Sequence, residues 1–192
     1  MTPTTDRLGF TIRRARPADI PSIRTMQERS MWILGGSFYS DDEIADFLTQ
    51  YGTMDDAVVA EGHFFVAENR SGKILGSGGW TRRRPRYATG PGESVETETL
   101  PTVRSVFVDP AAEWRGIASS LMARIESDAL DHGMREIILT ATLSGASLYE
   151  RLGYRALGRE LLPLNNGSSF GCIQMTKQLE RVSEAEAWLP AA

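Results

Sequence analysis

The residues best suited to chemistry lie where a predicted helix begins, and they are Arg115, Gly116, Ile117, Ala118, Ser119 and Ser120. The first N–H groups of a helix have no partner inside the helix and point outward with the positive end of the helix dipole. Small side chains at Gly116 and Ala118 would let a diphosphate approach this backbone. The segment indicates a phosphate site made of backbone amides. An ordinary helix start, with small residues for close packing, fits these residues equally well.

Two motifs in the second half of the chain resemble those of one enzyme family. Val106-Phe107-Val108-Asp109-Pro110 followed by Arg115-Gly116-Ile117-Ala118 resembles the coenzyme A signature of the GCN5-related N-acetyltransferases (GNAT), Gln/Arg-x-x-Gly-x-Gly/Ala. About thirty residues later, Leu148-Tyr149-Glu150-Arg151-Leu152-Gly153-Tyr154 is similar to that family's aromatic-Tyr-x-x-x-Gly-aromatic segment. The opening residues 12–19 also resemble the family's first strand and helix. The resemblance therefore covers roughly residues 10–178, and the two motifs occur in the same order as in the family.

This resemblance implies an α/β fold of the GNAT acyl-CoA N-acyltransferase type, a mixed central sheet of about seven strands with helices on both faces. It implies direct transfer of the acetyl group of acetyl-CoA to a primary amine of a small molecule or peptide, with no metal ion. The implied cofactor-binding residues are Val106, Phe107, Val108, Trp114, Arg115, Gly116, Ile117, Ala118, Ser119, Ser120 and Ser144.

By this resemblance, the strand at residues 106–108 would pair with the pantetheine arm as if with a neighbouring strand. A backbone N–H near Phe107 or Val108 would then polarise the thioester carbonyl. A plain buried strand would have the same residues. Ser144 and Ser147 are expected near the thiol, although Ser144-Gly145 is also a normal helix start.

Tyr149 is the expected general acid, because the resemblance places it where the leaving thiolate must be reprotonated. A phenol with a pKa of about 10 can donate that proton within hydrogen-bond reach. Without the resemblance, a tyrosine between Leu148 and Leu152 on a short helix is more often a core residue.

The general base is not singled out by the sequence. Glu93, Glu96 and Glu98 lie in a long loop and could face a cationic acceptor, but a solvated acidic loop is the more common interpretation. Glu28 and His63 are weaker candidates. The base stays open at this point.

The coenzyme A signature departs from the family pattern at one position, where Glu113 replaces Gln or Arg. A carboxylate fits poorly beside a diphosphate, and Arg115 could compensate for it. This departure, with the missing base, leaves a second interpretation open. In that alternative the protein is a catalytically silent acyl-CoA-binding sensor or interaction module.

Three further groups of residues have less specific interpretations. Trp32 and Trp80 could line an acceptor pocket for an aryl or alkyl amine, or belong to the core. The arginines at 82–84 and 86 could bind an anionic group, but most are expected on a solvated face. Cys172 lies among apolar residues of a late strand and is expected to be a buried core residue, not a nucleophile.

Hydrophobic periodicity predicts the elements that position these residues, in the order β, two helices, β, β, β, helix, β, helix, β, β. Ser40 and Glu43 have capping-box spacing before the second helix. The predicted strands cover residues 10–15, 63–68, 73–82, 102–108, 136–142, 157–164 and 170–179. One helix contains the apolar stripe of Ile117, Leu121 and Ile125 and stops at His132-Gly133; a short helix covers 146–151, and a long loop covers 85–101.

Length and composition limit the class of protein. A chain of 192 residues that is 41% hydrophobic suits one domain, expected at 10–180 between a flexible N-terminus (1–9) and a C-terminal tail (181–192). A net charge of -4 disfavours nucleic acid and anionic membranes as partners. Lone Cys172, with no signal peptide or apolar span, predicts a cytoplasmic protein. A homodimer is the family expectation.

Overall fold

A computed structural model of the protein describes residues 9–83 and 98–180. Within them the chain forms one mixed seven-stranded sheet in the order β1-β2-β3-β4-β5-β7-β6. The strands are β1 (Thr11–Arg14), β2 (Phe64–Glu68), β3 (Ile74–Arg83), β4 (Glu98–Val108), β5 (Glu136–Thr142), β6 (Arg155–Pro163) and β7 (Ser169–Gln178). The α-helices are α1 (Ile20–Gly35), α2 (Asp41–Gln50), α3 (Ala57–Ala60), α4 (Ile117–Asp131) and α5 (Ala146–Arg151). The predicted fold class is confirmed.

Helices cover both faces of the sheet because successive strand residues point to opposite sides. On β2, Phe65 and Ala67 join the core cluster that contains the apolar stripe of α4. Their neighbours Phe64 and Val66 join a second cluster with residues of α1 and α3. A third cluster packs α2 against β6 and β7. Strands β2 and β3 are therefore buried on both faces over most of their length.

Close packing of α4 on β3 depends on a glycine. A Cβ added to Gly76 would lie 2.7 Å from Ile117 Cγ2 and 3.0 Å from Leu121 Cδ1, closer than side chains approach in proteins. Gly76 thus allows the first turn of α4 to lie directly on the sheet. This contact fixes the position of the helix start that carries Gly116.

The capping box predicted for α2 is present, since Ser40 accepts from the Glu43 backbone N–H and Glu43 accepts from the Ser40 backbone N–H. Two predictions need correction. The β4 strand begins at Glu98 instead of residue 102, because Glu98 pairs with Arg83 at the far end of β3, beyond an irregularity in the register. The short helix α3 follows α2 and was not predicted, since four residues show no periodicity.

Residues 1–8, 84–97 and 181–192 lie outside the described part of the chain. They include most of the predicted loop and all of the predicted C-terminal tail. In the described part, no helix has the length and apolar character needed to cross a bilayer.

Candidate active site

A cleft of about 980 Å³ lies between β4 and β5. The two strands run parallel and share a single paired position, Thr102 opposite Ile138, whereas every other neighbouring pair of strands is antiparallel and paired over several positions. Beyond that pair, the C-terminal parts of both strands line the cleft instead of bonding to each other. The lining includes residues 103–108, 112–114, 116–119, 139, 140, 142, 144, 145, 147–149 and 151.

A bulge in β4 lies where the strands separate. Ser105 has a φ of 52°, a value uncommon for a residue other than glycine, and pairing with β3 shifts register between Ser77 and Gly79. The Ser105 hydroxyl donates to the Thr53 carbonyl at 2.7 Å, and its own carbonyl accepts from the Ser77 hydroxyl at 3.2 Å. These bonds hold the bulge from both sides. They stabilise the bend that turns the end of β4 into a wall of the cleft.

A buried glutamine of α1 supports the same bulge. Gln27 is fully buried, and its amide nitrogen donates to the Ser77 hydroxyl at 2.9 Å. The chain of bonds from Gln27 through Ser77 to Ser105 links helix α1 to β3 and β4. Sequence reasoning missed Gln27, although it follows Met26 on the apolar face of an amphipathic helix, where a polar residue needs a partner.

The direction of the backbone N–H groups of β4 follows from its last bond to β3. The Asp109 N–H donates to the Leu75 carbonyl at 2.8 Å, and Val108 lies opposite Gly76. In an antiparallel pair, a residue between two hydrogen-bonded positions points its own N–H away from the partner strand. The Val108 N–H therefore points toward β5 and the cleft, while that of Phe107 points to β3. Of the two N–H groups considered from the sequence, the geometry selects Val108.

The start of α4 opens on the cleft with Gly116 as its N-cap. Gly116 has a φ of 75°, in the left-handed region that glycine adopts without strain, and no side chain caps the helix. The first turn contains no acidic residue. Its backbone N–H groups at Ile117, Ala118 and Ser119 therefore form a positive end beside the cleft.

Two of the predicted cofactor contacts, Arg115 and Ser120, differ from the others in position. The Ser120 N–H donates to the Gly116 carbonyl at 3.0 Å, so this amide closes the first helical turn and is not available to a ligand. Neither Ser120 nor Arg115 lines the cleft, and Arg115 is exposed. The other predicted contacts do line it: Val106, Phe107, Val108, Trp114, Gly116, Ile117, Ala118, Ser119 and Ser144.

The charged residue that departs from the signature, Glu113, is exposed and lines the cleft. Within the described chain, the arginines that line the cleft are Arg104 and Arg151. Trp114, with a φ of 60°, is 92% exposed beside Glu113.

Tyr149 on α5 is buried and faces the cleft. Its ring packs edge-on against Tyr154, with 5.7 Å between ring centroids. Burial raises the pKa of the Tyr149 phenol above its ordinary value, because the anion would lose hydration. The group therefore stays protonated and able to donate. Near it, the hydroxyls of Thr142 and Ser144 are hydrogen-bonded at 3.0 Å.

Two carboxylates line the cleft in the described chain, Asp55 and Glu113. Asp55 lies between α2 and α3, where it accepts from the Ala57 N–H at 3.1 Å. Sequence reasoning missed it, since no motif surrounds it. Glu28 and His63 do not line the cleft, and His63 is bonded instead to Asp128 at 2.7 Å. Of the three loop glutamates, Glu93 and Glu96 lie outside the described residues, and Glu98 begins β4.

The wall opposite α4 is largely apolar and comes from α1, α2 and the segments that follow them. Its apolar members are Met31, Ile33, Leu34, Phe38, Phe47, Met54 and Val58. Trp32 and Trp80 are not among the lining residues. Trp80 is a core residue whose indole N–H donates to Asp128 at 3.0 Å, and Trp32 is partly exposed outside the cleft.

A buried tyrosine ties this apolar wall to the strands. The Tyr39 hydroxyl accepts from the Leu143 N–H and donates to the Gly171 carbonyl, both at 2.7 Å. Its ring stacks on Phe170 with 3.9 Å between centroids. Cys172 is buried as predicted, and burial raises the pKa of its thiol to about 12, so it remains an uncharged thiol.

The arginines after β3 are only partly described. Arg82 and Arg83 are exposed, and Arg83 is paired with Glu61 at 3.3 Å. Arg84 and Arg86 lie outside the described residues. None of the described arginines in this group lines the cleft.

A comparison with known families adds to this geometry. The family described as "Acetyltransferase (GNAT) domain" matches residues 60–156, which is 97 of the 192 residues. The chain belongs to the GNAT acetyltransferase family. A comparison of this acetyltransferase with curated proteins finds no match.

Solved structures with the same fold include three from bacteria. A GCN5-related N-acetyltransferase from Rhodopseudomonas palustris is 20% identical, with a TM-score of 0.68 over 93% of this chain and 99% of that one. A putative acetyltransferase from Salmonella typhimurium, solved with acetyl-CoA, is 19% identical with a TM-score of 0.60 over 91% and 97%. A phosphinothricin acetyltransferase from Sinorhizobium meliloti, solved with acetyl-CoA, is 21% identical with a TM-score of 0.61 over 92% and 94%.

Proposed function

We propose that this acetyltransferase moves the acetyl group of acetyl-CoA directly to a primary amine of a small molecule or peptide. The observation that carries the proposal is the cleft between β4 and β5, which has Tyr149 on one side and the Gly116 end of α4 on the other. Two similar structures were solved with acetyl-CoA, which supports the choice of cofactor.

The residues present fit that cofactor. The N–H groups of Ile117, Ala118 and Ser119 suit a diphosphate, because the first turn of α4 carries no acidic side chain. The exposed edge of β4 suits the amide-containing arm, which can bond to strand backbone as a neighbouring strand does. Bound acetyl-CoA supplies the acetyl thioester and the thiol leaving group.

Residues of the chain would then divide the chemistry of transfer. The Val108 N–H donates to the thioester carbonyl oxygen and so favours attack by the amine nitrogen on the carbonyl carbon. As the carbon–sulfur bond breaks, Tyr149 gives its phenolic proton to the sulfur. Asp55, directly or through water, takes the proton that the amine must lose. The products are an amide and a free thiol, and no acyl group is attached to the enzyme.

The acceptor would lie against the apolar wall of the cleft. Ile33 and Phe38 are half exposed there, and burying such side chains against an aryl or alkyl group is favourable. Asp55 lies among these apolar residues and supplies a negative charge for the ammonium form of the acceptor.

A turnover assay tests the proposal. Purified protein is incubated with acetyl-CoA and a panel of aryl, alkyl and amino acid amines, and release of free thiol is followed. We expect at least one amine to raise thiol release above background hydrolysis. Acetyl-CoA binding without stimulation by any amine in a broad panel would instead favour a catalytically silent acyl-CoA-binding module.

Replacement of Asp55 with Asn is expected to lower kcat about a hundredfold, because the amide cannot accept the proton of the ammonium. Acetyl-CoA affinity should remain unchanged. Steady-state kinetics with the best amine of the panel measures both. Asp56→Asn is the matched control, since Asp56 is the next residue but pairs with Arg24 at 2.6 Å and does not line the cleft. Equal losses in the two variants would remove Asp55 from the proposed mechanism.

Replacement of Glu113 with Gln is expected to tighten coenzyme A binding two- to fivefold, roughly the effect of one exposed charge. The change removes a carboxylate that lines the cleft and leaves side-chain size unchanged. Isothermal titration at low and high salt measures it, and the gain should shrink at high salt. An unchanged dissociation constant at low salt would show that Glu113 does not face the bound phosphates.

A further inference from the structure

The far end of α4 carries a cluster that the proposed transfer reaction does not use. Asp128 lies eleven residues after Ile117, about 16 Å along the helix from the cleft at the usual rise per residue. Around it stand His63, which precedes β2, and His132, one turn further along the helix. The chain has two histidines, and both belong to this cluster.

The three side chains are close enough to share one ligand. His63 Nδ1 lies 2.7 Å and His132 Nδ1 lies 3.8 Å from Asp128 Oδ2. The two imidazole rings meet edge to face with 4.4 Å between centroids. One donor atom from each of the three residues lies within 4.8 Å of the other two.

We propose that His63, Asp128 and His132 bind a divalent transition cation, with Zn²⁺ the best match. Two imidazoles and a carboxylate form a ligand set that Zn²⁺ accepts, with water in the fourth position. Ligand atoms about 2.0–2.1 Å from a tetrahedral zinc ion are about 3.3 Å apart, and the separations of 2.7 Å and 3.8 Å to Asp128 Oδ2 lie on either side of that value. In the absence of an ion, His63 Nδ1 is hydrogen-bonded to Asp128 Oδ2 and His132 Nδ1 to the Asp128 carbonyl oxygen, each at 2.7 Å. Binding through Nδ1 would exchange these two hydrogen bonds for bonds to the ion and place each imidazole hydrogen on Nε2.

The surroundings of Asp128 divide its two oxygens between different partners. Oδ1 faces the guanidinium groups of Arg14 at 3.2 Å and Arg124 at 4.0 Å. Oδ2 faces the histidines and accepts from the Trp80 indole N–H at 3.0 Å. A hydrogen bond of this kind orients a metal-binding carboxylate from outside the ligand shell. The two arginines oppose a cation by charge, so the site should bind Zn²⁺ less tightly than a structural site made of cysteines.

A bound ion would join the residue before β2 to the last turn of α4. Asp128 is nearly fully buried, whereas His132 is partly exposed, so the ion would have a path from solvent. The site would stabilise the packing of α4 on the sheet and would take no part in acetyl transfer.

Titration of Zn²⁺ into the tag-free protein, after removal of metals with a chelator, tests the proposal. We expect one equivalent of Zn²⁺ to bind at a saturable site and to raise Tm. His132→Ala and His63→Ala should each weaken binding about tenfold or more. Cys172→Ala is the control for binding through the thiol and should bind as the parent does. Circular dichroism shows whether each variant is folded. If His132→Ala is not folded, His132→Gln is tested in its place.

Three results would overturn the site. They are the absence of saturable Zn²⁺ binding, unchanged binding in the double variant lacking both histidines, and loss of binding in Cys172→Ala. Because the readout is metal binding and Tm, it does not depend on whether the protein transfers acetyl groups.

Discussion

Tyr149→Phe is expected to lower kcat by about 10²–10⁴-fold, the usual contribution of a positioned acid. The dissociation constant for acetyl-CoA should stay close to that of the parent. The substitution removes one oxygen atom from a buried ring that lines the cleft and keeps its packing against Tyr154. Because burial raises the pKa of Tyr149, the parent enzyme should keep its acid protonated up to at least the ordinary pKa of tyrosine, about 10. Thiol release under saturating amine gives kcat, and isothermal titration gives binding.

Tyr154→Phe is the matched control for this experiment. Tyr154 is also buried and contacts Tyr149, but it does not line the cleft. Its turnover should remain near that of the parent. Unchanged turnover in Tyr149→Phe would remove Tyr149 from the mechanism. A similar loss in both variants would show that ring packing, and not proton donation, determines the rate.

Gly116→Glu is expected to raise the dissociation constant for coenzyme A at least a hundredfold. A Cβ at Gly116 meets no protein atom within 4 Å, so the variant should fold without a clash. The loss of affinity should come from two terms. A residue other than glycine at φ 75° costs about 1–2 kcal/mol, and a carboxylate placed at the positive end of α4 repels a diphosphate.

Two further variants separate these terms. Gly116→Ala introduces the conformational cost without the charge and should weaken binding about tenfold. Gly133→Glu introduces the same side chain just after α4, at a glycine with φ 83° and open space around it, and should leave binding unchanged. Isothermal titration with coenzyme A compares all three. Equal affinity in Gly116→Glu and Gly133→Glu would show that the start of α4 does not contact the cofactor.

The elements of the fold could be predicted because their signals are local. The stripe of Ile117, Leu121 and Ile125 predicts α4, and all three side chains are fully buried against the sheet. Ser40 and Glu43 predict the start of α2 through side-chain bonds to nearby backbone. The early start of β4 could not be predicted in this way, since Glu98 joins the strand only through its pairing with Arg83 of β3.

The candidate site was predictable only where a motif marks it. Gly116 and Tyr149 stand in recognisable segments, and both line the cleft. Asp55 and Gln27 lie far along the chain from the strand they approach, and Gln27 bonds to a residue 50 positions away. Such contacts depend on how helices pack on the sheet, which periodicity does not specify. The position of His63 could not be predicted for the same reason. Its partner Asp128 is 65 positions away, at the end of α4 that lies far from the cleft.

The two hydrogen bonds of Tyr39 limit which residues can change when the acceptor preference of this protein changes. Its hydroxyl bridges β7 and the turn after β5 that leads to Tyr149, although the residue itself belongs to the segment that forms the acceptor wall. Substitutions that move Tyr39 would therefore also move the segment that carries the proton donor. Ile33 and Phe38 line the same wall but are half exposed and are not part of this bridge. Changes of acceptor preference, in evolution or by engineering, should accumulate at such positions while Tyr39 stays fixed.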